Sequence, residues 1–196
     1  MEKENIVLKK KISKLENLLK EQTSLTHKHK ILADFDFLTK VSNRASFTRA
    51  VKDMLSDLVK RDYPFVIIYL DLDDFKQIND RFSHNDGDKV LIKVAETLIL
   101  KNRAHTIIGR LGGEEFGIAL PGVEEKEALC VANRLRAAIE NIEYSNKDIS
   151  VTASIGVYIP NKEDNMDDVI YKADKAMYIS KNTGKNKITV YKGDLK

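Results

Sequence analysis

One cysteine, Cys130, stands in the whole chain, so no intrachain disulfide can form and packing must hold the fold. Its neighbours Ala128, Leu129 and Val131 predict a buried helical thiol. Long hydrophobic runs are missing as well. The longest, Phe65 to Leu70, falls far short of the roughly 18 apolar residues of a bilayer-spanning helix, and the polar start MEKEN does not read as a signal peptide. A cytoplasmic chain with no membrane segment is the expectation. No block of one charge occurs either: Lys and Arg number 33 against 30 Asp and Glu, a formal net charge of +3 spread along the sequence. That removes the usual electrostatic case for a nucleic-acid partner. With 196 residues and 42% hydrophobic content, the chain can bury one substantial core, but two enzyme domains would be cramped.

Glycine and proline are absent from the first thirty residues. Met1, Leu8, Ile12, Leu15 and Leu19 fit the a and d positions of a heptad, which predicts a coiled-coil helix over residues 1–33 and a homodimer formed through it. Gln22 and Thr26 fall in the continued seam, while Leu18, Leu25 and Leu32 make a shifted stripe, so the register is expected to slip before the globular domain, residues 34–196. A single amphipathic helix packed on its own domain is the alternative.

From Asp36 onward helices and strands alternate. Ser42 or Asn43 caps a helix to about Lys60, with Phe47, Val51, Leu55, Leu58 and Val59 at helical spacing. Phe65 to Leu70 is a central strand, apolar on both faces. After a loop holding Gly87, Lys89 to Leu100 is amphipathic. Ile107–Leu111 and Phe116–Leu120 form a hairpin around Gly112-Gly113. Glu124 to Ile142 then reads as helix, Val151 to Ile159 as strand, Asp167 to Asn182 as helix and Lys187 to Tyr191 as a last strand. The order β-α-β-β-α-β, with extra helices, predicts an α+β fold: a ferredoxin-type sheet flanked by helices, largely on one face.

Two acidic places carry the chemistry. Asp71, Asp73 and Asp74 end the central strand, and Glu114-Glu115 tip the hairpin. If the hairpin lies beside that strand, Asp71 and one glutamate converge, and hard oxygen ligands favour Mg²⁺ or Mn²⁺. Gly112-Gly113 offers bare backbone that a bulky ligand can approach closely.

These residues resemble the GGDEF-domain diguanylate cyclases. Arg110 to Phe116, RLGGEEF, is similar to the family's defining motif in its GGEEF variant. DFLTKVSNR (Asp36 to Arg44) resembles its opening motif, and DLDDFKQINDRFSHNDGD (Asp71 to Asp88) its metal and guanine segment. SIGV (Ser154 to Val157) and ADKAMYISKNTGKNK (Ala173 to Lys187) follow in the family's order. The resemblance implies a nucleotidyl-cyclase-like GGDEF catalytic domain over 34–196, condensing two GTP into cyclic di-GMP with one half-site per subunit of a dimer. It implies about two Mg²⁺ or Mn²⁺ ions per half-site, held by Asp71, Glu114 and the Leu72 carbonyl. Glu115 is then the base, with Lys76 in the catalytic set. Asn79 and Asp88 read guanine, and Lys76, Lys181 and Lys185 approach the phosphates. Gly112 and Gly113 contact substrate. His84 matches a position near substrate, with a structural role as the equal alternative. Lys185 stands where arginine is common, so the planar two-toothed grip on phosphate is lost.

The family's inhibitory product site is an Arg-x-x-Asp motif upstream of the glycine pair. Here that window reads Arg103-Ala104-His105-Thr106, and threonine cannot accept guanine's two N–H groups as aspartate does. The resemblance therefore implies a degenerate site of Arg103, Thr106 and Arg134, with weak product inhibition. Three other readings stay open: a GGDEF-like receptor without catalysis, a cyclase making a mixed guanine-adenine product, and a working coiled coil on which the domain is a passive cap, which the ordered motifs make remote. Intact Gly112, Gly113, Glu114 and Glu115 argue against the first, and Asp88 against the second.

Overall fold

The structure, a computed structural model, describes Lys14, residues 18–20 and residues 33–193. Met1, Leu8, Ile12 and Leu15 of the heptad seam lie outside the described residues, and with them the expected dimer contact. Lys14, Leu18, Leu19 and Lys20 are helical, and Leu18 and Leu19 are exposed. Among the described residues no helix is long and apolar enough to cross a membrane.

The globular part runs β1 (Ser42–Asn43), α1 (Arg44–Arg61), β2 (Phe65–Leu72), α2 (Phe75–Arg81), α3 (His84–Leu100), β3 (Ile107–Arg110), β4 (Glu115–Pro121), α4 (Glu125–Glu140), β5 (Ala153–Tyr158), α5 (Met166–Asn182) and β6 (Ile188–Val190). The sheet order is β1-β3-β4-β2-β5-β6. Its middle, β3-β4-β2-β5, is the ferredoxin-like arrangement, with β2 antiparallel to both neighbours. Short parallel strands β1 and β6 extend the two edges.

Helices cover both faces, not largely one as the element order suggested. The reason lies in β2, whose eight residues are all buried. Val66, Ile68, Leu70 and Leu72 pack with α2, α3 and α4. Phe65, Ile67 and Tyr69 point the other way and pack with Phe47, Val51 and Leu55 of α1 and Val169, Ala173 and Met177 of α5. A strand apolar on both sides needs two covers.

Local signals explain the boundaries. The Asn43 side chain accepts from the Ser46 N–H at 3.0 Å and caps α1, while Asp62 ends it in the left-handed region. Ser83 caps α3: its hydroxyl accepts from the Asp86 N–H at 3.1 Å and donates to the Asp86 carboxylate at 2.7 Å. The helix therefore starts at His84, and Gly87 and Asp88 sit in its first turns instead of in a loop. Val59 is exposed on α1, at the margin of the apolar stripe. Cys130 is exposed on α4; Ala128 and Val131 are buried, and the thiol between them falls on the opposite side of the helical turn.

At Gly156 strand β5 packs directly against the main chain of α5. A Cβ on Gly156 would lie 2.1 Å from the Ala173 carbonyl oxygen and 2.3 Å from the Met177 nitrogen. Both are backbone atoms of a helix and cannot swing aside. Gly156→Ala is expected to destabilise the domain by about 3 kcal/mol, read as a lowered urea midpoint with an unchanged slope; a midpoint at the parent value would show that α5 does not pack this closely.

Candidate active site

The site is built where β2 leaves the sheet and antiparallel β4 enters it. Asp71 is in register with Glu115 on one side and Ser154 on the other, and the Leu72 N–H donates to the Glu114 carbonyl at 3.3 Å. Because side chains alternate along a strand, Tyr69 and Asp71 share the α1/α5 face with Glu115 and Gly117. The expected convergence of the strand end with the hairpin acids is thus present.

Asp71 is buried, and burial pushes its carboxyl up to about 6. Lys181, reaching from α5, opposes this by donating to Asp71 Oδ1 at 2.6 Å, while the charges of Glu114 and Glu115 raise it further. Burial alone lowers Lys181, but Asp71, Glu114 and Asp73 together outweigh it and hold the ammonium above its ordinary value. Among the described residues, no three His, Cys, Asp or Glu side chains are gathered at metal-ligand spacing. The donor chemistry nevertheless fits a hard divalent cation: the buried Asp71 carboxylate feels the charges of Glu114 and Glu115, and Lys181 is the positive charge bonded to it.

The other two acids of the strand end separate. Asp73 is a staple, buried and accepting from Thr152 Oγ1 at 2.7 Å, Ser154 Oγ at 2.7 Å and the Asn186 N–H at 3.0 Å. Asp74, left-handed at φ 55°, holds Lys185 through both carboxylate oxygens at 2.7 Å. Lys185 and Asn186 are themselves left-handed, at φ 58° and 44°. Asn186 bonds to Glu140 and Arg136 of α4, so this strained turn is tied to the body of the domain.

Beyond the acids, α2 and α3 supply the remaining predicted residues. Lys76 is exposed in the first turn of α2 and His84 in the first turn of α3. Asn79 lies directly over Gly87, next to exposed Asp88. At the hairpin, neither Gly112 nor Gly113 has a positive φ; those fall at Gly122, Gly184 and Gly193. A Cβ on Gly112 would meet Glu115 Oε2 at 2.2 Å, whereas one on Gly113 would meet nothing within 4 Å. The first glycine makes room for the Glu115 carboxylate, and the second leaves open surface.

Arg103, Thr106 and Arg134 line one separate cavity of about 180 Å³, with His105, Tyr63 and Glu127. Arg103 is paired with Glu127 at 2.7 Å.

Two further residues escaped the sequence reading. The Tyr69 hydroxyl interacts with the Glu115 side chain. Burial first, and then the charges of Glu115 and Asp174, hold it well above its ordinary range, so it stays protonated. Its even spacing from Asp71 was the available signal, masked by the apolar run around it. Arg110 is the second: its guanidinium donates to the Gly113 carbonyl at 3.0 and 2.7 Å and to Asp36 Oδ1 at 3.1 Å. Asp36 also accepts from the Thr39 N–H at 2.8 Å and hydroxyl at 2.6 Å. The segment that enters the domain is thereby tied to the hairpin tip.

The family profile described as "Diguanylate cyclase, GGDEF domain" matches residues 33–187. The chain belongs to this GGDEF-domain family. It is 32% identical over 187 residues to "Diguanylate cyclase DosC" of Escherichia coli K12, covering 94% of this chain and 40% of that protein. It is 35% identical over 169 residues to "Uncharacterized protein YhcK" of Bacillus subtilis, covering 84% of the chain and 47% of that protein. The chain thus spans under half the length of these curated relatives. Among solved structures, the coiled coil and GGDEF domain of DgcB from Caulobacter crescentus, in complex with c-di-GMP, superposes with a TM-score of 0.88. That match covers 93% of this chain and 98% of DgcB's, at 21% identity, and speaks to the fold. The active GGEEF domain of a diguanylate cyclase from Vibrio cholerae gives a TM-score of 0.74 at 27% identity, covering 78% of this chain and 98% of that one.

The Asp36–Arg110 pair makes stability depend on pH. Burial pushes Asp36 upward, but the bonds from Thr39 and Arg110 prevail and hold it below the ordinary carboxylate value. The stability it contributes is therefore complete above that ordinary value and is lost as pH falls through the lowered one. Asp36→Asn should flatten the acid limb of a stability-versus-pH curve, and Arg110→Ala should cost about 2 kcal/mol at neutral pH. An acid limb unchanged in Asp36→Asn would contradict this.

Proposed function

We propose that this domain is a diguanylate cyclase, which joins two GTP molecules into cyclic di-GMP with release of two pyrophosphates. The observation that carries this reading is the register of Asp71 against Glu115, with Glu114 and Lys181 at the same spot. The name of DosC and the matched family profile support it.

In this reading Asp71, Glu114 and the Leu72 carbonyl hold Mg²⁺ or Mn²⁺, about two ions per half-site. The metal, when bound, supplies neutralisation of the triphosphate and acidifies the attacking 3′-hydroxyl. Glu115 accepts that hydroxyl's proton, and the Tyr69 hydroxyl, always protonated, aims the carboxylate. Lys181, bonded to Asp71, would be free to reach a phosphate oxygen if a bound cation took over the Asp71 charge, and Lys185, held by exposed Asp74, would offer a second cation to the phosphates. Lys76, exposed beside the strand end, adds a third positive charge. Asn79 and Asp88 read the guanine edge: a carboxylate accepts from N1–H and the amino group, which adenine does not offer in that arrangement. His84 borders the same turn. Gly113 lets the nucleotide approach the backbone.

Each domain holds one GTP and the product needs two, so two subunits face each other, brought together by the N-terminal helix. Product inhibition through Arg103, Thr106 and Arg134 is weak, because neutral Thr106 does not replace a carboxylate and Glu127 already engages Arg103.

The purified chain with Mg²⁺ and GTP is expected to yield cyclic di-GMP, with no mixed product when ATP is added. Glu115→Gln should lower the rate by at least about 100-fold. GTP binding without turnover would support the receptor reading instead. Cyclic di-GMP added to the working enzyme at low micromolar concentration should leave the rate unchanged; strong inhibition there would refute the degenerate site.

A further inference from the structure

Helix α3 carries a glycine where helix chemistry argues against one. Gly87 is the fourth helical residue, it is buried, and its φ is not positive. Alanine is the better helix former at such a position, and no turn requires the exception. The reason lies across the groove. A Cβ on Gly87 would stand 2.0 Å from Asn79 Oδ1, 3.0 Å from Asn79 Cγ and 3.2 Å from Phe75 Cζ. The Asn79 carboxamide occupies the hollow left by the missing side chain. Asp88, the next residue, is exposed at the same turn.

We infer that Gly87 is a specificity-determining position: its bare α-carbon seats the Asn79 carboxamide beside Asp88, so that the two present one fixed edge to a purine base. This rests on the reading above, in which Asn79 and Asp88 recognise guanine. The physics separates fold from recognition. Asn79 Oδ1 is the far end of a flexible side chain, so a methyl group at residue 87 displaces it by rotation and leaves both helices in place. The Phe75 ring needs to yield by only a few tenths of an ångström, at 3.2 Å. Gly87→Ala therefore keeps the fold and gains helix propensity, while the carboxamide leaves its seat. Hydrogen bonds formed to the base from an unseated group are lost or must be reorganised on binding.

The test is nucleotide binding by calorimetry with Mg²⁺ and either GTP or ATP. Every variant is carried on the full chain bearing Glu115→Gln, so that substrate is not consumed, and thermal melting runs in parallel. Gly87→Ala should weaken GTP about tenfold, a loss of one hydrogen bond's worth, narrow the GTP-over-ATP preference by the same factor, and melt at or above the parent temperature. Added to Asn79→Ala, it should cause no further loss. If Asn79→Ala leaves GTP affinity unchanged, guanine recognition by Asn79 is wrong and the proposal goes with it. If Asn79→Ala weakens GTP while Gly87→Ala does not, the recognition reading stands and the seating proposal alone is overturned. Phe75→Leu combined with Gly87→Ala relieves the ring contact but not the clash with Asn79. Recovery of GTP affinity in that pair would assign the effect to ring packing and overturn the proposal.

Discussion

Strand β2 is hydrogen-bonded along both edges and buried on both faces, and that double burial places both helical layers and the two strands beside it. A fully buried aliphatic side chain contributes about 1.5–3 kcal/mol, so neither row of β2 can be left uncovered. One row draws in α2, α3 and α4, and the other draws in α1 and α5. The chain leaves β2 at Asp71 and Leu72 with no freedom of position or direction. Whatever stands there inherits the rigidity of the core, and what stands there is acidic.

That placement sets stability against chemistry. Asp71 is a carboxylate in a wall of apolar neighbours, faced by Glu114 and Glu115 and steadied by Lys181. Hydrophobic packing alone would favour an apolar residue at this point. The cost is contained by neighbouring residues that have no proposed contact with substrate. Asp73 gathers three donors from the β5 segment and the turn after α5. Asn186 ties that turn to α4, and Arg110 ties the hairpin tip to Asp36. The acidic centre is held in a frame of bonds to charged groups, each stronger than a neutral one.

How much was legible in the sequence follows from the range of the interactions involved. Helix and strand existence came from periodicity, and the central position of β2 from its unbroken apolar run. The convergence of Asp71 with the hairpin acids followed once the hairpin was laid beside β2. What was not legible depended on parity and on contacts distant in sequence. Tyr69 lay hidden in the run FVIIYL because hydrophobicity on both faces conceals which residue faces a site. Asp73 looked like one of three equal acids, and only the positions of Thr152, Ser154 and Asn186 make it a staple. Ser83 as a cap was a local signal passed over, and with it the helical setting of Gly87. Cys130 was misjudged because adjacent residues on a helix point in different directions. The coiled-coil seam falls outside the described residues, apart from exposed Leu19.

The glycines divide along the same line between fold and function. Gly156 is required by backbone: a methyl group there strikes the main chain of α5, which cannot move without taking β5 with it. Gly112 and Gly87 are required by side chains, Glu115 and Asn79, whose ends can move at small structural cost. Gly113 is required by no contact among the described residues, since a methyl group there would meet none of them within 4 Å. Selection for stability alone would keep only the first of these, because alanine loses less conformational entropy on folding. Gly113, which no described neighbour requires, leaves the hairpin tip bare beside Glu114 and Glu115, and this is the surface at which the proposed nucleotide approaches. In GGEEF the glycine pair thus meets two different conditions, room for the Glu115 carboxylate at Gly112 and open surface at Gly113, and since neither glycine has a positive φ the tightness of the turn is a lesser reason for either.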